Sequence, residues 1–182
     1  MKVPSFNGER AFCIYGLGKT GKSVINFFNK KGFTKYQTWD DNKVYRSSLR
    51  GKSNRNKEEK AFSNSLDISD YIILSPGINI YKAKLKKKLI KNRKKIITDL
   101  DLLYLSNPKL KTIIITGTNG KSTTCKILEH ILKKNKLNVK LGGNIGKPVL
   151  DLDLKKNPLL IIEASSFQLA YSKFIEPYQA VI

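Results

Sequence analysis

Apolar residues along this chain fall in short runs of four or five. Each run is followed by a polar or glycine-bearing loop, and then by a stretch in which apolar positions recur every third or fourth residue. That alternation predicts strands and helices in turn, and so an α/β fold with mostly parallel sheet. AFCIY (11–15) reads as a first strand running into a glycine loop at 16–21. From about Thr20 to Lys31, Val24, Phe27 and Phe28 share one helical face. KYQTW (35–39) reads as the second strand and ends at Asp40 and Asp41. The polar, basic NKVYRSSLRGKSNRNK after it reads as a loop with weak local structure. A short helix is expected near 58–66, then a buried strand YIIL (71–74) leading into Ser75-Pro76-Gly77. The lysine-dense segment 82–95 reads as a surface helix with Leu85 and Leu89 inward, and KKIIT (94–98) as the next strand.

Asn107-Pro108 breaks this pattern, and the KLK after it reads as a linker. The predicted organisation is a first domain over 1–106, a linker at 107–111 and a second α/β unit from 112 onward. The second unit opens with the strand TIIIT (112–116), passes through a loop at 117–120 and continues as a helix over 121–134. That helix is expected to bury Thr124, Ile127, Leu128, Ile131 and Leu132. Further strands are expected at 137–141, 159–163 and 179–182. The last residues, QAVI, read as a strand with nothing to cover its edge, which predicts that 112–182 is the first part of a larger domain.

Composition narrows the choice. Across 182 residues, 40% are hydrophobic, enough for a buried core, so general disorder is excluded. No apolar run reaches the length of a membrane span, and MKVPSFNGER lacks a secretory profile, so a cytoplasmic protein is expected. Cys13 and Cys125 lie far apart in unlike contexts and read as buried thiols in a reducing compartment. His130 is the single histidine and has no ligand partner on its helix, so no metal role is assigned to it. The formal charge is +21, from 35 Lys+Arg against 14 Asp+Glu. These lysines are spread over nearly every helix and loop among many asparagines, which describes solvated faces and not a nucleic-acid stripe.

Candidate chemistry sits in two loops. Thr116-Gly117-Thr118-Asn119-Gly120-Lys121-Ser122-Thr123 joins a strand to an amphipathic helix. Glycines there let backbone N–H groups turn toward phosphate oxygens, and the helix N-terminus adds partial positive charge. Lys121 can reach the outer phosphates, and the Ser122 hydroxyl can ligate Mg²⁺. Ile115 stands where the strict P-loop pattern wants glycine. The earlier loop, Gly16-Leu17-Gly18-Lys19-Thr20-Gly21, matches GxGxxG, with Asp40 at the distance of an NAD ribose acid. Taken alone it fits either a dinucleotide site or a tight turn with no ligand. Glu163 ends the apolar run LLIIE, at the sheet edge where α/β sites form.

Six segments occur in one order: GLGKTGKS, WDD, SPGI, TGTNGKST, GGNIGKP and EASSFQL. In that order they resemble the Mur ligase family, and GGNIG with EASSFQL is most similar to its D-glutamate-adding branch. The resemblance implies a Rossmann-like N-terminal domain followed by the start of a P-loop-type ATP-binding central domain. It implies that the first loop holds a uridine diphosphate instead of NAD. Gly18, Lys19, Thr20 and Gly21 would line the diphosphate, Asp40 and Asp41 would sit near the uracil or ribose, and Ser75-Pro76-Gly77 would close the pocket. Gly117 to Thr123 would hold ATP, Lys121, Glu163 and Asn144 would act in catalysis, and Ser122 and Glu163 would bind Mg²⁺. Asn144 and Ser165 would hydrogen-bond the muramoyl-alanine end, Ser166 and Gln168 would support them, and Phe167 and Leu169 would pack. The reaction implied is peptidoglycan precursor synthesis: ATP activates the alanine carboxylate of UDP-N-acetylmuramoyl-L-alanine as an acyl phosphate, which the amine of D-glutamate attacks. A monomer with no nucleic-acid partner is expected. Family members continue further, with another metal-ligand histidine, a carbamylated lysine and a C-terminal domain, so these 182 residues alone are expected to be inactive. The alternatives are a sister ligase, including the folylpolyglutamate type, and a nucleotide-binding module without turnover.

Overall fold

In the computed structural model, residues 9–47 and 58–182 are described. They form two compact units, divided between Asp99 and Leu100.

The first unit carries β1 (Phe12–Tyr15), α1 (Lys19–Lys30), β2 (Tyr36–Trp39), α2 (Lys43–Ser47), α3 (Glu59–Ile68), β3 (Tyr71–Leu74), α4 (Lys86–Lys91) and β4 (Ile96–Ile97). Its strands are all parallel, in the order β2-β1-β3-β4. β1 is covered on both sides by neighbouring strands and on both faces by other elements, which is why FCIY is uniformly apolar and buried. Phe28 of α1 stacks on Phe33 at 5.0 Å and tilts against Phe12 at 4.9 Å, closing one face. On the other, Phe62 of α3 lies 5.8 Å from Trp39 and 5.9 Å from Tyr15. The chain leaves β1 toward β2 on one side and reaches β3 on the other. The C-terminal end of β1 is therefore the switch point at which parallel sheets open a crevice.

The stretch after Asp41 is helical over α2, where a loop was expected; its remainder, 48–57, lies outside the described residues, as does 1–8, part of the segment read for a leader. The basic segment 82–95 is shorter as a helix than its lysine spacing predicts. Only Lys86–Lys91 is α-helical, with Leu85 and Leu89 buried as expected. Asn92 ends it: its buried amide donates to the Lys88 carbonyl at 3.0 Å and to Asp67 Oδ1 at 2.8 Å.

The second unit opens with α5 (Asp99–Ser106) and continues through β5 (Thr112–Ile115), α6 (Lys121–Lys134), β6 (Val139–Gly143), β7 (Leu159–Glu163), α7 (Ser166–Tyr171) and β8 (Gln179–Val181). The sheet is parallel, in the order β6-β7-β5-β8. Leu100 and Leu103 of α5 lie in one core cluster with Ile114, Leu160 and Ile162. The unit therefore begins before the Asn107-Pro108 break, because α5 buries its apolar residues in this core. Among the described residues no helix is long and apolar enough to cross a membrane.

The burial of α6 corrects an expectation. Cys125 is fully buried, and Leu128 and Leu132 are partly buried against Ile113, Ile115 and Ile161. Thr124, Ile127 and Ile131 are exposed. At about 100° per residue, Ile127 and Ile131 lie on the far side of the helix from Cys125. The contact line is the single stripe 125–128–132, and the wider face read from the sequence is not covered.

Candidate functional site

In the first unit, β1 ends in Gly16, whose φ of +99° places it in a region that favours glycine. A Cβ on Gly16 would meet Ser75 Cβ at 2.7 Å, and one on Gly21 would meet the Gly16 carbonyl oxygen at 1.9 Å. The loop is closed this tightly because α1 must start directly beneath it. Ser75 locks the turn, its hydroxyl donating to the Gly16 carbonyl at 2.9 Å. Gly18 is the N-cap of α1, so the amides of Lys19, Thr20 and Gly21 have no intrahelical acceptor. A helix terminus of this kind, at a switch point, suits an anion. The Lys19 side chain is exposed, Thr20 and Pro76 are half-buried, and Gly77 is exposed.

The two acids after β2 face their own chain. Asp40 is buried and accepts from the amides of Leu17 at 2.6 Å and Asn42 at 2.8 Å. Asp41 accepts from Tyr15 Oη at 2.6 Å, Trp39 Nε1 at 2.9 Å and the Lys84 amide at 2.9 Å. Arg46, which the sequence reading did not single out, places its guanidinium 4.3 Å from the Trp39 ring centroid and donates to the Asp40 and Asp41 carbonyls. Its only sequence signal is a cation on the helix after WDD. Burial and the neighbouring Asp41 carboxylate both push the Tyr15 phenol well above its usual range, so it stays a donor.

In the second unit, register builds the site. Glu163, the last residue of β7, pairs with Ile115 at the end of β5 on one side and with Gly143 at the end of β6 on the other. The loop of residues 116–120 and the GGNIG turn are thereby brought to either side of one buried carboxylate. Glu163 Oε2 accepts a hydrogen bond from Ser122 Oγ at 2.6 Å, joining residues 41 positions apart. Asn144 is fixed by its amide, which donates to the Glu163 carbonyl at 2.9 Å. A Cβ on Gly143 would meet that same carbonyl oxygen at 2.3 Å, so only glycine lets the turn approach.

Gly120 is left-handed, with φ +78°, and is the N-cap of α6. The amides of Lys121, Ser122 and Thr123 thus begin the helix without intrahelical acceptors, beside Gly117, Thr118 and Asn119. The Lys121 ammonium bridges the carbonyls of Gly117 at 2.8 Å and Thr118 at 3.0 Å, folded back over its own loop. Ser165 acts as the N-cap of α7, accepting from the Gln168 amide at 3.1 Å, and its hydroxyl proton can still be donated. Gln168 is buried and Ser166 exposed. Leu169 packs as expected, whereas Phe167 is 60% exposed, because the first turn of α7 points that position away from the core. Beneath Glu163, Cys125 is a buried thiol pushed up to about 11, by burial first and by the Glu163 charge second.

The donor set suits a magnesium ion bound with a triphosphate. Ser122 and Glu163 supply one alcohol and one carboxylate oxygen, hard ligands of the kind this ion takes when phosphates and water fill its other positions. Among the described residues no group of three or more His, Cys, Asp or Glu could hold a metal without such help.

Two family profiles match this chain. The profile described as "Mur ligase MurD-like, N-terminal domain" matches residues 10–98, and the one described as "Mur ligase middle domain" matches 115–182. The chain is 42% identical over 156 residues to the UDP-N-acetylmuramoylalanine--D-glutamate ligase of Buchnera aphidicola subsp. Schizaphis graminum, covering 86% of this chain and 35% of that one. Against the protein of the same name from the Wolbachia of Brugia malayi it is 38% identical over 173 residues, covering 88% and 33%. Against that of Elusimicrobium minutum it is 35% identical over 193, covering 100% and 41%. The chain spans well under half the length of the curated relatives it matches.

Proposed function

The chain belongs to the Mur ligase family, and from that premise we propose that it serves the ATP-dependent joining of D-glutamate to UDP-N-acetylmuramoyl-L-alanine. The observation that carries the reading is the 2.6 Å contact between Ser122 of the phosphate loop and Glu163 at the sheet edge. A hydroxyl and a buried carboxylate meet there beside the orphan amides of a helix that begins GKST.

The alanine carboxylate attacks the γ-phosphate of ATP, giving an acyl phosphate and ADP. The amine of D-glutamate then attacks the acyl carbon, and phosphate leaves. The first step brings two anions together, so the site must supply positive charge in a fixed arrangement. Lys121 moves from its two loop carbonyls onto the outer phosphates, and the amides of the loop and the first turn of α6 hold the phosphate chain. Magnesium, when bound, neutralises phosphate charge and is held by Ser122 and Glu163. Asn144, whose amide is tied to the Glu163 carbonyl, and Ser165, two residues beyond Glu163, orient the muramoyl-alanine end. In the first unit the open amides of Lys19, Thr20 and Gly21 take the uridine diphosphate. Both anionic ligands enter a strongly basic chain, whose field favours their capture.

Binding distinguishes this reading from its rivals. Titration of the chain should give saturable binding of UDP-N-acetylmuramoyl-L-alanine, displaced by UDP and not by NADH or a folate. Binding of NADH in its place, or displacement by folate alone, would sink the proposal.

A further inference from the structure

Asp41 is half-buried just past the C-terminal end of β2, beside the mouth of the glycine loop, and both its carboxylate oxygens accept hydrogen bonds from the chain. Oδ1 accepts from the Tyr15 phenol at 2.6 Å and from the Trp39 indole at 2.9 Å, and Oδ2 accepts from the Lys84 amide at 2.9 Å. The Leu85 amide reaches the same phenol at 3.4 Å. Tyr15 and Trp39 are almost wholly buried, so their polar atoms depend on this acceptor. Hydrogen bonds to an ionised acceptor are about twice as strong as neutral ones.

The segment these bonds secure is 76–85, which leaves β3 at the turn that closes the glycine loop. At its start, Ser75 is fixed to the Gly16 carbonyl. Within it, Ile80, Ala83 and Leu85 are buried. At its end, the Asp41–Lys84 bond ties it to the strand on the far side of β1. One carboxylate therefore connects the ends of β1 and β2 with the segment bordering the site.

We propose that Asp41 is a positioning residue that sets this wall of the nucleotide site, and not a ligand of the ribose or uracil. The proposal rests on the reading that the first unit takes a uridine diphosphate. It departs from what resemblance alone implies for this position. Asp41 spends Oδ2 on the backbone of the wall and Oδ1 on two buried donors, so the bonds it makes hold the wall in place.

Amide hydrogen exchange and nucleotide titration on the whole chain test this together, with Asp41→Asn as the main variant. Asparagine keeps the shape but puts a donor where one of two acceptors was. Exchange at Lys84 and Leu85 should accelerate about tenfold or more, while the β1 and β3 amides keep their protection. UDP affinity should fall about tenfold, with the ratios among UDP, 2′-deoxy-UDP and CDP unchanged. Tyr15→Phe keeps the Asp41–Lys84 bond and should accelerate Leu85 alone, which preserves a test if the first variant folds poorly. Unchanged exchange at Lys84, uniform acceleration across the unit, or lost discrimination among the three nucleotides would each overturn the proposal. A wild-type chain that keeps its Lys84 protection but binds no UDP would overturn the functional reading instead, and the positioning role with it.

Discussion

A methyl group added at Gly21 would lie 1.9 Å from the Gly16 carbonyl oxygen, and a backbone atom cannot swing aside as a side chain can. Gly21→Ala should therefore cost about 2–3 kcal/mol, the upper part of the range for overpacking. Urea unfolding measures that cost, and UDP titration should show binding lost with the loop geometry. The buried thiols give a pH prediction. Cys13 is pushed up to about 11 by burial, and Cys125 to about 11 by burial and the Glu163 charge. Tyr15 moves the same way. Each group keeps its proton longer folded than unfolded, so its contribution is complete below the unfolded value and lost as pH climbs through the folded one. Stability should decline from about pH 9 toward 11, and thiol reagents at pH 8 should react with neither cysteine until the chain unfolds. At this scale the sequence located the residues better than their bonds. Ser122, Glu163 and Asn144 do converge. Spacing could not indicate the long-range bonds that Asp40 and Asp41 make, since Leu17, Tyr15 and Lys84 lie 23, 26 and 43 positions away.

Elements differ in how openly their sequence declares them. β1, β5 and β7 sit inside parallel sheets and announce it as unbroken apolar runs. α5 is different: DLDLLYLS has no polar face because Leu100, Leu102 and Leu103 are all buried, so its periodicity is flat and no helix was read there. Its Asp101 is fully buried and accepts from the amides of Lys173 and Phe174, both at 2.7 Å, a long-range pairing with no local signature. α7 is hidden for another reason, since EASSFQL is short and carries no helical period of apolar residues. On α6 the apolar period suggests a wider stripe than the core covers. Leu160→Ala, in the centre of the sheet, should cost about 2–5 kcal/mol. Ile127→Ser, on the uncovered side of α6, should stay within about 0.5 kcal/mol. Equal losses from the two in urea unfolding would return Ile127 to the core.

Over the whole molecule the same device is used twice. In each unit a strand flanked on both sides by parallel neighbours runs into a glycine loop, and a helix begins at once, its first three amides ahead of the first intrahelical bond. The two sites diverge in what stands beside that terminus. The first has a serine lock on the loop carbonyl; the second has a carboxylate against a hydroxyl. The order of motifs made the two-unit plan legible, because glycine loops follow strands only where a sheet opens. The division at Asp99 was not legible, because α5 packs into the second core across a break that looks like a boundary. The central claim is that the second terminus binds a magnesium–triphosphate complex through Lys121, Ser122 and Glu163. Calorimetric titration of the chain with ATP, with magnesium and again with chelator, tests it most directly. Affinity should fall about tenfold or more when magnesium is removed, and Glu163→Gln should erase that difference while leaving the fold intact. Equal affinity with and without magnesium, or a Glu163→Gln chain that keeps its full magnesium dependence, would contradict the account.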